Sequence, residues 1–343
     1  WVGQTGLPVQ SPHGPTLIPD MNQAIDVDLE STTGCAIAGD EAQVYCWGWN
    51  NYGQAGDPTT HRVDNGARAV EGVTGAIGVA IGPYHGCAWR ADGHRYCWGV
   101  NNFGQLGAGL PATLPIRRPR LVEGLENTIQ VSAGDGHFCA LDQQGVARCW
   151  GSNGYGQLGD GTTNTASSPQ VVTVVSQVAQ ITAGESNTCA VLVDGNAYCW
   201  GYNRNGQLGL GNNADQTEAQ QLDLPPMQLI RSGNAYACGL DRSGGVHCWG
   251  YGNEGVLGQG NRSSSQRPQV VNALPAVQDL ELGFRHVCAV TGTGNLFCWG
   301  RNNEGQIAVD RSSSRVTSPT QVMIPSVLSV AVGRQHTCAL TVS

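Results

Sequence analysis

Thirteen cysteines in 343 residues are the side chains whose type and spacing first suggest chemistry. Cys87 and Cys97, Cys139 and Cys149, Cys189 and Cys199, Cys238 and Cys248, and Cys288 and Cys298 lie ten positions apart; Cys35 and Cys46 lie eleven apart. Zinc ligand pairs leave roughly two to four residues between cysteines, so metal is the wrong chemistry. The spacing suits a bridge across a hairpin. In Cys139–Cys149 a turn at Gln143-Gln144-Gly145 sets the two residues opposite each other, with Cα atoms roughly 4.5–5.5 Å apart and within disulfide reach. Six such bridges predict an oxidising compartment, secreted or at the cell surface. Cys338 is left over, expected to be unpaired or bonded to another chain.

Other candidates resolve toward structure. His85, His137, His286 and His336 each precede a first cysteine by two residues. A ring of them could bind metal, but the equivalent positions hold Thr33, Asn187 and Tyr236, so neither metal nor cofactor is expected. Trp47, Trp98, Trp150, Trp200, Trp249 and Trp299 each follow a second cysteine and read as packing beside the disulfide. Tryptophans outside that position, Trp1, Trp49 and Trp89, are too few for a light-sensing cluster. Gly250-Tyr251-Gly252-Asn253-Glu254-Gly255 matches the dinucleotide pattern, which needs a strand–loop–helix unit; here it is one copy of a repeated loop. Asn261-Arg262-Ser263 is a glycosylation sequon by pattern. The absence of lysine excludes Schiff-base and P-loop lysine chemistry. No catalytic constellation emerges, and the chain is not expected to be an enzyme.

The net charge of −8 disfavours phosphate backbones and anionic lipid surfaces as partners. The one basic cluster, Arg117-Arg118-Pro119-Arg120, reads as a solvated loop. No apolar run is long enough to span a membrane as a helix.

The elements that must position these residues recur with a period of about 50 residues. Cys189 to Gly209, CAVLVDGNAYCWGYNRNGQLG, is the clearest copy, and a seventh is cut short at Cys338. Each copy carries four strand signals, here Pro169–Val172, an apolar run ending in glycine at Val178–Gly184, Thr188–Val193 and Asn196–Trp200. Glycine and Asn/Asp/Ser punctuation separates them. Proline at the start of the first suits a sheet edge. With no sustained helical periodicity, the pattern predicts one all-β domain over 1–343: a seven-bladed β-propeller of four-stranded repeats with intrablade disulfides. A linear β-solenoid is the runner-up.

The string H-x-C-A-L…C-W-G-x-N-x-x-G-Q-L-G resembles the regulator-of-chromosome-condensation repeat family over the whole chain. Trp98-Gly99 with Gln105-Leu106-Gly107, and Trp150-Gly151 with Gln157-Leu158-Gly159, fall at the family's offsets. The resemblance implies a seven-bladed propeller whose last blade is shared between the chain ends. The family includes a chromatin-bound nucleotide exchange factor, a plant ultraviolet-B photoreceptor and secreted bacterial propellers, one of which inhibits β-lactamase. The paired cysteines are similar to the secreted bacterial branch.

Function is then expected in the loops after each C-W-G, which vary while the frame does not. Trp49, Tyr52, Phe103, Tyr155, Tyr202, Tyr251 and Arg301 are the candidate partner-binding residues, an aromatic rim suited to protein or glycan recognition. The expected role is an extracellular or cell-surface binding or adhesion module. Alternatives are a secreted enzyme inhibitor, a lectin, or a subunit of a surface fibre. The sequence starts just after one C-W-G position and stops just before another. The last blade should therefore draw an inner strand (Ser329–Val332) and a cysteine strand (His336–Leu340) from one end and a proline-led strand (Pro15–Pro19) from the other. The missing C-W-G strand would come from sequence outside these 343 residues or from a neighbouring subunit.

Overall fold

The structure, a computed structural model, describes residues 23–59, 61–107, 115–122, 125, 127–307, 313–324 and 326–342. Glycine and polar turns break the chain into strands of five to eight residues, and no helix occurs among the described residues. Each apolar run ending in glycine forms an inner strand. The two cysteine strands follow as an antiparallel hairpin, and the proline-led segment closes the sheet at its outer edge. Pro119, Pro169, Pro268 and Pro319 all lie in outer strands, where a missing N–H costs no ladder bond.

Six such four-stranded sheets, blades 1 to 6, follow in sequence. Their inner strands are Asp26–Glu30, Ala76–Ile81, Thr128–Ala133, Val178–Ala183, Met227–Ser232 and Val277–Leu282. The architecture is an all-β propeller with six complete blades, not the seven expected. Val327–Val332 and Thr337–Thr341 form a two-stranded sheet. Its inner strand packs between those of blades 6 and 1, closing the circle. A second-cysteine strand beside Thr337–Thr341 has no counterpart among the described residues, which is why the count falls short. The expected Pro15–Pro19 strand lies outside them. Arg117 to Arg120 also differ from expectation, since they belong to the outer strand of blade 2, Ile116–Val122.

The expected disulfides form, each between directly opposed residues of one hairpin. Cys35 is bonded to Cys46, Cys87 to Cys97, and Cys139 to Cys149. Cys189 is bonded to Cys199, Cys238 to Cys248, and Cys288 to Cys298. Their Cα atoms lie 4.1–4.2 Å apart, closer than the opposed-strand spacing alone suggested. Cys338 is free and half-buried. Burial pushes its thiol up to about 12.

The core lies between blades. The C-W-G tryptophans are fully buried; from Trp98 onward each packs on the disulfide of the preceding blade, as Trp200 does on Cys139–Cys149 and Trp249 on Cys189–Cys199, while Trp47 packs beside the free Cys338. The indole Nε1–H groups of Trp98, Trp150, Trp200, Trp249 and Trp299 donate to the carbonyls of Gln54, Gln105, Gln157, Gln207 and Val256, at 2.8–3.0 Å. The repeated tryptophan thus ties each blade to the loop of its neighbour. The following glycine is required by geometry: Gly201 has φ 100°, and a Cβ there would meet the Ser186 carbonyl oxygen at 2.6 Å.

Candidate functional site

Two sets of loops share one face. The residue after each C-W-G donates its N–H to the turn that leaves the inner strand: Val100 to Tyr84, Ser152 to Gly136, Tyr202 to Ser186 and Arg301 to Arg285.

The longer loop is wired internally. The buried Asn101, Asn153 and Asn203 accept at Oδ1 from the N–H of Leu106, Leu158 and Leu208, each at 2.9 Å. The side chains of Gln54, Gln105 and Gln157 accept from the N–H of Tyr52, Phe103 and Tyr155 at 2.9–3.0 Å. These bonds hold a tip residue outward just before the loop glycine. In blades 1 to 3 that tip is Tyr52, Phe103 or Tyr155, each more than 40% exposed.

The candidate residues therefore occupy two distinct places. Tyr52, Phe103 and Tyr155 are tips. Trp49, Tyr202, Tyr251 and Arg301 stand directly after C-W-G and are half-buried. Tyr202 packs edge to face on Tyr155 with centroids 4.8 Å apart, and Tyr251 lies under the Arg285 guanidinium.

A cleft of about 400 Å³ opens beside the blade 1 and 2 tips, lined by Tyr52, Tyr84, Phe103, Asp135, Glu185 and Ser186, among others. Tyr52 and Tyr84 meet edge to face at 5.5 Å. Phe103 lies over Gly136, where a Cβ would come within 3.4 Å of its ring. Asp135 is open to the cleft, yet desolvation by the surrounding protein, then repulsion from Glu185, push its carboxyl up to about 7 against the pull of Arg334. Glu185 is raised by the same burial, with Arg285 opposing. Glu30 is also pushed up, to about 8, by burial and by Asp135.

Tyr84, Asp135 and Glu185 were missed in the sequence. They fall in the two-residue gap between the inner-strand glycine and the histidine position: Pro83-Tyr84, Asp135-Gly136, Glu185-Ser186. That gap varies from blade to blade as the C-W-G loop does, so the same criterion applied there would have found them. A larger, more open groove of about 610 Å³ between blades 4 and 5 is polar, lined by Arg204, Asn213, Ser264 and Arg267 among others, and carries no aromatic.

The histidine position is a bridge between blades. His137 Nε2 lies 3.0 Å from Thr188 Oγ1 and His286 Nε2 2.9 Å from Thr337 Oγ1. Asn187 donates to Ser232 Oγ at 2.7 Å, and the Tyr236 hydroxyl reaches the Gly283 carbonyl at 2.8 Å. Burial disfavours the imidazolium and pushes His85 and His286 down to about 3 and His137 and His336 to about 4. Among the described residues no group of three or more His, Cys, Asp or Glu side chains is placed to hold a metal ion.

The profile of the RCC1-like domain matches residues 2–339. The chain is 31% identical over 133 residues to the probable E3 ubiquitin-protein ligase HERC4 of Homo sapiens, covering 38% of this chain and 12% of that protein. It is 33% identical over 135 residues to the E3 ubiquitin-protein ligase HERC2 of Homo sapiens, covering 38% of this chain and 3% of that protein. Among solved structures, human WBSCR16 superposes with a TM-score of 0.88 at 21% identity, over 98% of this chain and 95% of that one. Prp20p of Saccharomyces cerevisiae, studied for its binding to Gsp1p and histones, superposes with a TM-score of 0.81 at 20% identity, over 93% and 83%. The fold, the repeat frame and the profile agree: the chain belongs to the RCC1-like domain family.

Proposed function

We propose that this propeller is a binding module rather than an enzyme, and that it recognises a protein partner through the face bearing the C-W-G loops. The observation that carries the reading is the set of exposed aromatic tips, Tyr52, Phe103 and Tyr155, held outward by buried hydrogen bonds and flanked by a formed cleft. Rigid, amphipathic aromatics on a fixed frame suit interface anchors. Membership of a family of interaction propellers supports it. The test is a pull-down from the native source with wild type and with Tyr52→Ala/Phe103→Ala/Tyr155→Ala. The partner should be lost from the variant while the thermal midpoint stays nearly unchanged. A partner retained by the variant puts the interface elsewhere.

We place the module in an oxidising, extracellular or cell-surface setting, an assignment that rests on its six disulfides. Non-reducing peptide mapping of native material should recover all six pairs, and free thiols at most of those positions would refute the compartment. An adhesion role, a secreted inhibitor and a fibre subunit are narrower versions of the same reading, and a glycan-binding module is the alternative to a protein partner.

A second reading concerns the incomplete sheet. Among the described residues, Thr337–Thr341 has a strand partner on one side only. An unpaired edge leaves backbone groups to be satisfied. We propose that a C-W-G-type strand completes a seventh blade there, bonded through Cys338, as a neighbouring subunit could supply by strand donation. Mass spectrometry of native material would find Cys338 disulfide-bonded; a free Cys338 in the stable native protein would reject the bonded strand.

A further inference from the structure

The cleft's own chemistry narrows what enters it, an argument that rests on the partner-binding face proposed above. Tyr52, Tyr84 and Phe103 supply aromatic surface. Asp135 and Glu185 supply two exposed carboxylates beside it. Asp135 accepts no hydrogen bond and joins no ion pair among the described residues. Among the described residues, Glu185 hydrogen-bonds only the side-chain amide of Asn234. Of the nearby cations, Arg285 is ion-paired to Glu254 at 3.0 Å, and Arg334 lies over the face of Phe284 at 4.4 Å without forming an ion pair to Asp135, though it still draws on that carboxyl. Glu30 adds a third acid on the axial side. The cleft thus joins π-faces to negative charge that Arg334 and Arg285 offset only in part, on a chain whose net charge is −8.

We propose that this cleft receives an arginine side chain from a basic segment of a protein partner, its guanidinium against Tyr52, Tyr84 and Phe103 and its N–H groups directed to Asp135 and Glu185. A planar guanidinium both stacks on aromatic faces and forks onto carboxylates, which an ammonium does less well. Charge complementarity excludes an acidic or phosphorylated segment. Because desolvation raises both Asp135 and Glu185, and repulsion from Glu185 raises Asp135 further, an entering cation must displace a proton. Affinity therefore rises as pH rises through about 7. Glu30 moves in the same direction, while Arg334 and Arg285 oppose it.

The probe is a fluorescein-labelled Gly-Ser-Arg-Gly-Arg-Gly-Ser peptide and its citrulline twin, which keeps the shape and removes the charge. Both are read by fluorescence polarisation at about 0.15 M ionic strength, where bulk attraction is largely screened. The wild type should prefer the arginine peptide by about tenfold at pH 8 and by less at pH 6, and Asp135→Asn/Glu185→Gln should abolish the preference. Phe103→Ala/Tyr84→Ala should weaken arginine binding severalfold. Asp92→Asn/Asp194→Asn, on exposed turns at the far ends of their hairpins, should leave it intact. Equal binding of the twins, a preference surviving Asp135→Asn/Glu185→Gln, or equal losses from the two carboxylate pairs would each overturn the proposal. If the aromatic-tip variant still loses the native partner while the wild type binds the twins equally, the face stands and the arginine is wrong. If the tip variant keeps the partner, the face itself is wrong.

Discussion

Blades 1 to 3 and blade 5 carry the same loop on the same face, but finish it differently. In the first group the tips are Tyr52, Phe103 and Tyr155, exposed and free of ion pairs among the described residues. In blade 5 the tip is Glu254, buried and accepting from Arg285 at 3.0 Å and Arg315 at 2.6 Å. Blade 5 has also lost the pins of the loop, with Gly252 in place of asparagine and Val256 in place of glutamine. Its ion pairs do for the loop what side-chain amides do elsewhere, and they consume the tip residue in doing so. In blades 1 to 3, where Asn and Gln hold the loop, the tip is released for recognition. Position in the repeat therefore does not by itself mark a binding residue; what matters is whether that residue is already needed to hold its own loop.

The comparison assumes one frame under both regions, and the largest predicted effect tests that. Trp150 and Trp299 are both fully buried and make the same indole-to-carbonyl bond at 2.8 Å. Trp150→Ala and Trp299→Ala should each cost about 3–5 kcal/mol in chemical denaturation. A large inequality between them would break the shared frame.

The next effect separates the regions. Burial alone would raise Glu254, but the hydrogen bonds of Arg315 and Arg285 outweigh it and hold the carboxyl below its usual range. A lowered folded pKa adds stability that is present above the ordinary value of 4.5 and lost as pH falls through the folded one. Glu254→Gln should cost about 1.5–3 kcal/mol near neutrality, and the deficit should shrink in urea titrations run below pH 4.5. Replacing Tyr155 by alanine, by contrast, should change stability by no more than about 0.5 kcal/mol, since its ring is exposed at the loop tip and packs edge to face on Tyr202. If Tyr155→Ala destabilises as much as Glu254→Gln, the tips are structural and the contrast fails.

Much of the frame was legible in the sequence because it is periodic. The cysteine spacing located six disulfides, and the proline-led segments located the outer edges. What was not legible depends on contacts between blades. The C-W-G tryptophan packs on the previous blade's disulfide, about one repeat away, so its partner cannot be read from its own repeat. The completeness of the last sheet depends on strand pairing, and the count of six whole blades followed from that. The candidate rim mixed tips with supports: Tyr202 and Tyr251 have aromatic chemistry, but their half-burial follows from neighbours that only folding supplies. Asp135 and Glu185 were hidden for the opposite reason. A single acid in a turn is ordinary in sequence, and becomes unusual only when two turns from adjacent blades bring both beside three aromatics.

The smallest predicted effect has the opposite sign from that at Glu254. Asp135 is raised to about 7 by desolvation and by Glu185. A carboxyl whose folded pKa lies above its unfolded value favours the fold while protonated in both states, and that advantage is lost as pH rises from the ordinary 3.8 through about 7. Ionised Asp135 therefore burdens the native state at pH 8, though its exposure to solvent screens the burden and keeps it small. Asp135→Asn should raise the thermal midpoint at pH 8 by about half a degree (~0.3 kcal/mol) and leave it unchanged at pH 4. Acidification would then stabilise the cleft side over the range in which Glu254 is still ionised, and weaken the ion-paired side only below it. A midpoint for Asp135→Asn that falls at pH 8 would mean the carboxylate is stabilised by a partner in the native state, and the cleft would no longer be short of a cation.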